Sequence, residues 1–173
     1  MSQYIRYYHP GGYYFFTLVT HKRRPLFSDD ENVEKLRVAI RKVKINHPFS
    51  LTAFVILPDH MHCIWKLPSN DKNFSTRWRL IKNYFSREMQ SPINLRKEKE
   101  IWQHRFWEHC IRDENDWRQH MDYIHYNPVK HNLVASPKNW KHSSFYYWVE
   151  RGWYEENWAL GEIDDFSKIE VGG

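Results

Sequence analysis

The sequence contains only two cysteines, Cys63 and Cys110, and they form neither a C-x-x-C pair nor a disulfide framework. Such sparse use of cysteine is typical of a reducing compartment. No apolar run approaches the ~18 residues of a membrane span, and the start M-S-Q-Y-I-R-Y-Y lacks the hydrophobic region of a signal peptide. Internal repeats and low-complexity segments are also missing. We therefore expect a cytoplasmic protein without a membrane segment.

Positive charge exceeds negative charge, and the charges are unevenly distributed along the chain. The 173 residues carry a net charge of +5, with a sequence pI of about 9.1. From Glu150 onward seven acids face two bases, so residues 1–149 hold 24 bases and 14 acids. This distribution indicates an anionic partner, of which nucleic acid is the commonest. A merely soluble basic protein is the alternative.

Aromatic residues make up 17% of the chain, with nine tryptophans, yet the mean hydropathy is −0.82. Many rings must therefore lie at half-exposed positions, where they could stack on bases. Others will belong to the core, so this observation supports a nucleic-acid partner without establishing one.

The hydrophobic pattern predicts an α+β fold. G-G-Y-Y-F-F-T-L-V-T reads as a first strand, and a helix follows it, with Ser28 as candidate N-cap and Glu31 three residues on. Two strands broken at Pro58-Asp59 come next, followed by the helix N-F-S-T-R-W-R-L-I-K-N-Y-F-S-R-E-M. W-Q-H-R-F-W-E-H-C-I-R-D reads as a fourth strand, and a third helix ends near Pro128. This β-α-β-β-α-β order predicts a ferredoxin-like antiparallel sheet with helices on one face and an open face that can carry a site.

Two histidines stand one residue apart in the stretch L-P-D-H-M-H-C-I-W-K-L. Residues i and i+2 of a strand point to the same face, so His60 and His62 project together while Met61 and Cys63 point into the core. A pair of imidazoles forms half of a divalent-metal site, although such pairs also arise by chance. A structural zinc site would need four ligands, usually thiolates, and Cys63 points the wrong way.

The third helix carries a second candidate group. Tyr123 and Asn127 are i,i+4 neighbours on one helical face, where a tyrosine hydroxyl could act as a nucleophile and an amide oxygen as a metal ligand. Tyr126 is the rival nucleophile, and simple packing of both tyrosines is the plainer interpretation. Because Asn127 precedes Pro128, we expect its backbone to avoid helical geometry and its side chain to deviate from the i+4 direction.

These motifs together resemble the REP-associated tyrosine transposases, a branch of the single-tyrosine HUH transposases. The resemblance is carried by L-P-D-H-M-H-C-I-W, D-Y-I-H-Y-N-P-V-K-H-N-L-V, W-Q-H-R-F-W-E-H-C-I-R-D and the aromatic start before Gly11-Gly12, from about residue 4 to about 150. One departure is Asn132, where many relatives have glycine; asparagine also tolerates the left-handed conformation. We expect residues 1–150 to form the transposase domain and residues 151–173 an acidic extension.

The resemblance implies a ferredoxin-like, RRM-related fold that acts on single-stranded DNA carrying REP-type hairpins, formed by the repetitive extragenic palindromes of bacterial genomes. It implies Tyr123 rather than Tyr126 as nucleophile, and His60, His62 and Asn127 as ligands of Mg²⁺ or Mn²⁺. Tyr123 would cut the strand through a 5′-phosphotyrosine intermediate and rejoin it. Apart from the resemblance, His125 or His131 could act as a proton relay, and the sequence does not decide between them. We expect a monomer, with a dimer as the alternative.

Candidate DNA contacts follow from the positions of cations and rings. The cations are Arg6, Lys22, Arg23, Arg24, Arg77, Arg79 and Lys82, and the rings are Tyr4, Tyr7, Tyr8 and Trp102. The acidic tail could fold over the basic site and restrain it. The competing interpretation is a non-catalytic, RRM-like binder of single-stranded nucleic acid, which would have no need for His60, His62 and Tyr123 together. A small structural zinc protein lacks sufficient ligands.

Overall fold

Four antiparallel strands form the sheet of the computed structural model, which describes residues 9–159 and residue 166. The strands are β1 (Tyr13–Val19), β2 (Ser50–Ile56), β3 (His60–Lys66) and β4 (Trp107–Cys110), in the spatial order β2-β3-β1-β4. The helices are α1 (Asp30–Asn46), α2 (Phe74–Arg87), α3 (Glu114–Lys130) and α4 (Phe145–Glu150). This is the predicted ferredoxin-like order, and the α+β class is confirmed. None of the described helices is long and apolar enough to span a membrane.

Helices α1 and α2 cover one face of the sheet because their apolar residues recur at helical spacing. Leu36, Ile40 and Val43 of α1 are buried there, and Trp78 of α2 stacks on Trp65 of β3 with 4.1 Å between ring centroids. Alternation along the strands sends Tyr14, Phe16 and Leu18 of β1 into the same core. This core fixes the position of the sheet from behind.

Helix α3 packs on the opposite face of the sheet, which the sequence had suggested would be open. Phe15, Val55 and Ile64 of the sheet are fully buried against Met121 and Ile124 of α3. The helix is therefore held close to β1, β2 and β3 by its own apolar stripe. Its other side chains are brought over the end of the sheet where β3 begins.

Several local predictions differ from the structure. The N-cap of α1 is Asp29, whose side chain accepts a hydrogen bond from Glu31 N, so the prediction of Ser28 is wrong by one residue. The fourth strand is limited to Trp107–Cys110, because the preceding residues follow β1 only through isolated contacts such as the Thr20–Trp102 bridge. Pro58-Asp59 does form the predicted turn, and Leu57 N donates to His60 O at 2.8 Å.

Helix α3 continues through Pro128 to Lys130, so the expectation that the proline would disturb Asn127 is wrong. Asn127 remains helical, and the helix ends after His131 in a Schellman motif. Asn132 N donates to Val129 O and Leu133 N donates to Pro128 O, both at 2.9 Å. Asn132 has φ +56°, a left-handed conformation that asparagine tolerates.

Candidate active site

His60 and His62 project from β3 toward α3, with 4.9 Å between their ring centroids. Met61 and Cys63, with no exposed surface, lie in the core behind the sheet. The alternation predicted from the sequence is therefore observed, and Cys63 is excluded as a companion of the two imidazoles. Both histidines are buried, with 5% and 2% of their surfaces exposed.

A hydrogen bond orients each imidazole. His60 Nδ1 donates to Asp59 Oδ1 at 2.6 Å, and His62 Nδ1 lies 2.8 Å from Thr17 Oγ1, its partner across the β1–β3 ladder. With the proton on Nδ1 in each of these bonds, the tautomer that suits a metal ligand, both Nε2 atoms have a free lone pair. This carboxylate or hydroxyl support behind an imidazole is typical of metal-binding histidines.

Electrostatics keep both imidazoles neutral. Burial lowers the pKa of His62 well below its ordinary value, and the neighbouring His60 lowers it further. Burial also lowers the pKa of His60, although the Asp59 carboxylate and the Asn127 amide act in the opposite direction. A neutral imidazole is the form that binds a metal.

Asn127 of α3 completes the group. Its side chain is fully buried beside His60, whose pKa it acts to raise, and its Nδ2 donates to Tyr123 O at 3.4 Å. Within the described residues, Asn127 Oδ1 and His62 Nε2 are buried without a hydrogen-bond partner. Unsatisfied buried acceptors are costly and require an explanation, which a bound cation would supply. The two nitrogens and one amide oxygen thus fit a divalent metal ion.

Tyr123 is the tyrosine beside this group. Its ring centroid lies 5.2 Å from that of His62, and its hydroxyl lies 3.3 Å from Lys130 Nζ. Tyr126 stacks on Phe166 at 5.7 Å, and no ring contact joins it to a histidine in the described part of the chain. Phe166 also contacts the edge of Tyr123 at 5.7 Å, so a residue of the C-terminal segment lies against the candidate nucleophile. Only 4% of the Tyr123 surface is exposed.

The two histidines suggested as proton relays lie in different places, and only one of them is beside the site. His131 lies beside His60, with 5.1 Å between ring centroids. His125 is fully buried away from the site, with Nε2 at 2.8 Å from Ser144 Oγ and Nδ1 at 3.2 Å from Tyr154 Oη. The suggestion of His125 as a relay is therefore wrong. Its role is to join α3 to the segment that follows it.

A second buried cluster is formed by His109, Asp116 and His120. His109 Nε2 lies 2.8 Å from Asp116 Oδ2, and His120 Nδ1 lies 2.8 Å from Asp116 O and 3.1 Å from Asp116 Oδ1. These ligand atoms are already bonded to one another. The cluster therefore serves to fix the first turn of α3 against β4 rather than to bind an ion.

Of the predicted DNA contacts near the site, Lys22 and Arg23 are exposed. Lys22 and Arg23 are both in the left-handed region, with φ 51°, and Arg23 Nη1 lies 3.2 Å from Asp59 Oδ2. The positive charge of Arg23 lowers the pKa of His60, which places the guanidinium close to the histidines. Arg24 is partly buried and donates to Glu100 O at 2.5 Å. Arg23 is therefore a cation at the edge of the site, and the exposed Lys22 precedes it in the chain.

Arg79 and Lys82 line an open groove of about 600 Å³ between α2 and the segment before β4. Lys82 Nζ donates to Gln103 O at 3.0 Å. Four further basic residues line this basic groove and were not predicted as DNA contacts from the sequence: Arg87, Lys97, Lys99 and His104. Glu98 also contributes to its lining.

Two predicted DNA contacts are contradicted by burial. Arg77 does not lie on the polar side of α2, because it is 2% exposed and donates to His47 O, Pro48 O, Asn73 O and Asp71 Oδ2 at 2.7–3.1 Å. Trp102 is 9% exposed, and its ring packs on Phe27 and Phe85. Neither side chain is available to DNA. Tyr4, Arg6, Tyr7 and Tyr8 lie outside the described residues.

Sequence reasoning also missed Thr17, Asp59 and Lys130 as parts of the site. Asp59 could have been found from its position next to His60, where a carboxylate can reach the ring. Thr17 requires the β1–β3 register, which single-sequence patterns do not give. Lys130 lies seven residues after Tyr123, two helical turns along the same face.

The fold and the site define a class, the single-tyrosine transposases with paired histidines. The family model described as "Transposase IS200 like" matches residues 9–127. An Escherichia coli K12 protein, the REP-associated tyrosine transposase, is 48% identical over 167 residues, covering 96% of each chain. A curated relative from Haemophilus influenzae is 42% identical over 166 residues, covering 92% of this chain and 94% of that protein.

A solved structure of a REP-associated tyrosine transposase bound to a REP hairpin is also similar. It has a TM-score of 0.84 and 47% sequence identity, and the match covers 98% of both chains. The chain therefore belongs to the IS200-like transposase family, and within it to the REP-associated tyrosine transposases, which are DNA-cleaving enzymes.

Proposed function

We propose that this chain is a metal-dependent transesterase that binds REP-type hairpins in single-stranded DNA and cleaves and rejoins them through a 5′-phosphotyrosine intermediate. The observation that carries this proposal is the position of Tyr123 beside a buried histidine pair, where His62 Nε2 and Asn127 Oδ1 have no hydrogen-bond partner among the described residues. The nucleophile on α3 and the histidine ligands of the proposed metal ion on β3 thereby lie next to each other.

His60 and His62, through Nε2, and Asn127, through Oδ1, are the residues that would hold Mg²⁺ or Mn²⁺. The ion would act as a Lewis acid toward the scissile phosphate and neutralise charge that develops there. Because two of the three protein ligands are imidazoles rather than hard oxygens, Mn²⁺ should serve at least as well as Mg²⁺. Asp59 and Thr17 would hold the two rings in the required orientation.

Tyr123 would attack phosphorus through its hydroxyl oxygen. The new O–P bond joins the protein to the 5′ phosphate of the downstream strand, and the P–O3′ bond breaks to release a 3′-hydroxyl. The phenol proton is lost to solvent and the leaving oxygen gains one. No water enters the bond, so its free energy is retained and a 3′-hydroxyl can reverse the reaction.

The basic groove and the cations near Asp59 would bind the DNA backbone. We infer that Arg79 and Lys82 contact the hairpin stem, while Lys22, Arg23 and Arg24 contact the strand that enters the site. The segment before β4 joins these two regions, since Trp102 bridges to Thr20 and Gln103 N donates to Val19 O. A continuous path for DNA would thus run from the groove to Tyr123. Arg6 and the rings of Tyr4, Tyr7 and Tyr8 remain proposed contacts from the N-terminal segment.

An RRM-like binder without chemistry is less well supported. Such proteins stack bases on the open face of the sheet, whereas Phe15 and Ile64 of this face are covered by α3. We further propose that the transposase domain spans residues 1–150 and that residues 151–173 form an acidic extension. We also propose that the protein acts as a cytoplasmic monomer, the dimer remaining the alternative.

Cleavage of a hairpin oligonucleotide with single-stranded flanks and a 3′ label tests the proposal. With Mn²⁺ or Mg²⁺ we expect a covalent protein–DNA adduct that disappears in Tyr123→Phe and survives in Tyr126→Phe. Removal of the metal by chelation should abolish the adduct without abolishing hairpin binding. An adduct that persists in Tyr123→Phe contradicts the assignment, and tight binding with no adduct under any metal favours the binder.

A further inference from the structure

The ammonium group of Lys130 contacts the candidate nucleophile, Tyr123. Its Nζ lies 3.3 Å from the Tyr123 hydroxyl and 4.7 Å from the centroid of the Tyr123 ring. We propose that Lys130 is a catalytic residue, which stabilises negative charge on the Tyr123 oxygen both when this oxygen attacks phosphorus and when it leaves. This inference rests on the proposed phosphotyrosine chemistry.

The geometry of α3 explains how the lysine reaches the tyrosine. Residues seven apart stand two turns apart on nearly the same helical face, and side chains lean toward the N-terminus of their helix. Lys130 is the last residue of α3, and the Schellman motif at Asn132 and Leu133 satisfies the terminal carbonyls of Pro128 and Val129. The ammonium group is therefore not needed to cap these carbonyls and is directed back toward Tyr123.

The charge of Lys130 is not neutralised by a carboxylate in the described part of the chain, since none forms an ion pair with it. The same charge acts on His62, whose pKa it helps to lower, so it faces the metal group as well as the tyrosine. A cation that contacts a neutral phenol gains little. The interaction strengthens when the oxygen becomes negative, because two opposite charges in contact attract each other in a way that a cation and a neutral phenol do not. The contact is thus stronger in the transition state than in the resting site.

Reversibility gives this role a distinctive consequence. In cleavage the phenolate oxygen forms the O–P bond as the P–O3′ bond breaks, and in rejoining the 3′-hydroxyl attacks and the phenolate leaves. Both directions share one transition state, so loss of Lys130 should slow them by the same factor. Removal of one donor to a developing oxyanion lowers rates by roughly 100-fold or more.

The test uses Lys130→Met and Lys130→Arg in single-turnover assays with saturating labelled hairpin and Mn²⁺. For Lys130→Met we expect cleavage and rejoining to fall by a common factor of about 100, with hairpin affinity and thermal unfolding close to wild type. Lys130→Arg should retain part of the rate. The matched control is Lys42→Met, which removes a lysine that lies over the Tyr84 ring at 5.6 Å on the other side of the sheet.

A second measurement isolates the charge on oxygen. Incorporation of 3-fluorotyrosine at position 123 gives a less basic phenolate, so the defect of Lys130→Met should shrink. An undiminished defect would count against charge stabilisation, as would a wild-type rate in Lys130→Met at saturating DNA. Weaker DNA binding with an unchanged saturated rate would assign Lys130 to DNA contact and overturn the proposal. If wild type itself forms no adduct, the proposed transposase chemistry fails, and with it the role of Lys130.

Discussion

His125 should make the protein lose stability in mild acid. Its imidazole is fully buried between Ser144 and Tyr154, and burial lowers its pKa from 6.5 to about 3. In the unfolded chain the same group regains its ordinary pKa. The hydrogen bonds described above are made by the neutral ring, so protonation must be opposed by the folded structure.

The magnitude follows from proton linkage. Because the pKa of folded His125 is the lower one, the unfolded state binds more protons below pH 6.5, and the stability present above that pH is lost as pH falls toward 3. A change from pH 7.5 to 5.5 should cost about 1.4 kcal/mol, and a change to pH 4.5 about 2.7 kcal/mol. Burial lowers the pKa of His60 and His62 as well, and these groups act in the same direction.

Urea unfolding at pH 7.5, 6.5 and 5.5 measures the effect in wild type and in His125→Gln. Glutamine keeps hydrogen-bonding capacity but cannot be protonated. From pH 7.5 to 5.5, the unfolding free energy of the variant should therefore fall by about 1.4 kcal/mol less than that of wild type. His104→Gln, at an exposed position, should preserve the wild-type dependence. If His125→Gln shows the same pH dependence as wild type, the reasoning from burial of this imidazole is refuted.

Three further substitutions test other parts of the structure. Thr17→Val should weaken Mn²⁺ binding by about 10- to 100-fold in titration calorimetry, because His62 Nδ1 loses the group that orients it. Phe166→Ala should raise the rate of adduct formation, because it removes a ring that lies against Tyr123. Arg77→Met should lower the free energy of unfolding by about 3 kcal/mol in urea titrations, since four acceptors lose a buried cation.

Each of these predictions has a matched control and an outcome that contradicts it. Thr52→Val makes the same change on β2 and should leave metal affinity intact; equal affinities in both threonine variants would exclude the orienting role. Truncation after residue 159 is preferable to truncation after 150, because the latter removes buried Tyr154. An unchanged cleavage rate in both Phe166→Ala and the truncation would argue against restraint by the tail. Arg79→Met should weaken hairpin binding without loss of stability, the reverse of the result expected for Arg77→Met.

The fold was predictable wherever a periodic pattern and a turn signal coincided. Period-2 alternation identified the face of His60 and His62, and Pro58-Asp59 marked the turn before β3, because both signals are local. The packing of α3 on the second sheet face was not predictable from order alone. It depends on an apolar stripe that includes Met121 and Ile124 meeting Phe15, a contact between distant segments.

The site shows why residue type and spacing predict ligands better than surface roles. His60, His62 and Tyr123 could be proposed because imidazole pairs and a tyrosine nucleophile have few interpretations once their order matches a family. A cation on an amphipathic helix has several interpretations. Arg77 and Arg79 are two residues apart on α2, yet one is buried under backbone carbonyls and the other lines an open groove. Only the tertiary position of the C-terminal end of α1 decides between them, because His47 and Pro48 supply the carbonyl acceptors that offset the cost of burying a guanidinium.

The same dependence on distant partners explains why Lys130 was missed. A lysine at a helix end ordinarily faces solvent. The significance of Lys130 emerges only when the tyrosine two turns earlier is fixed beside the histidines of a strand.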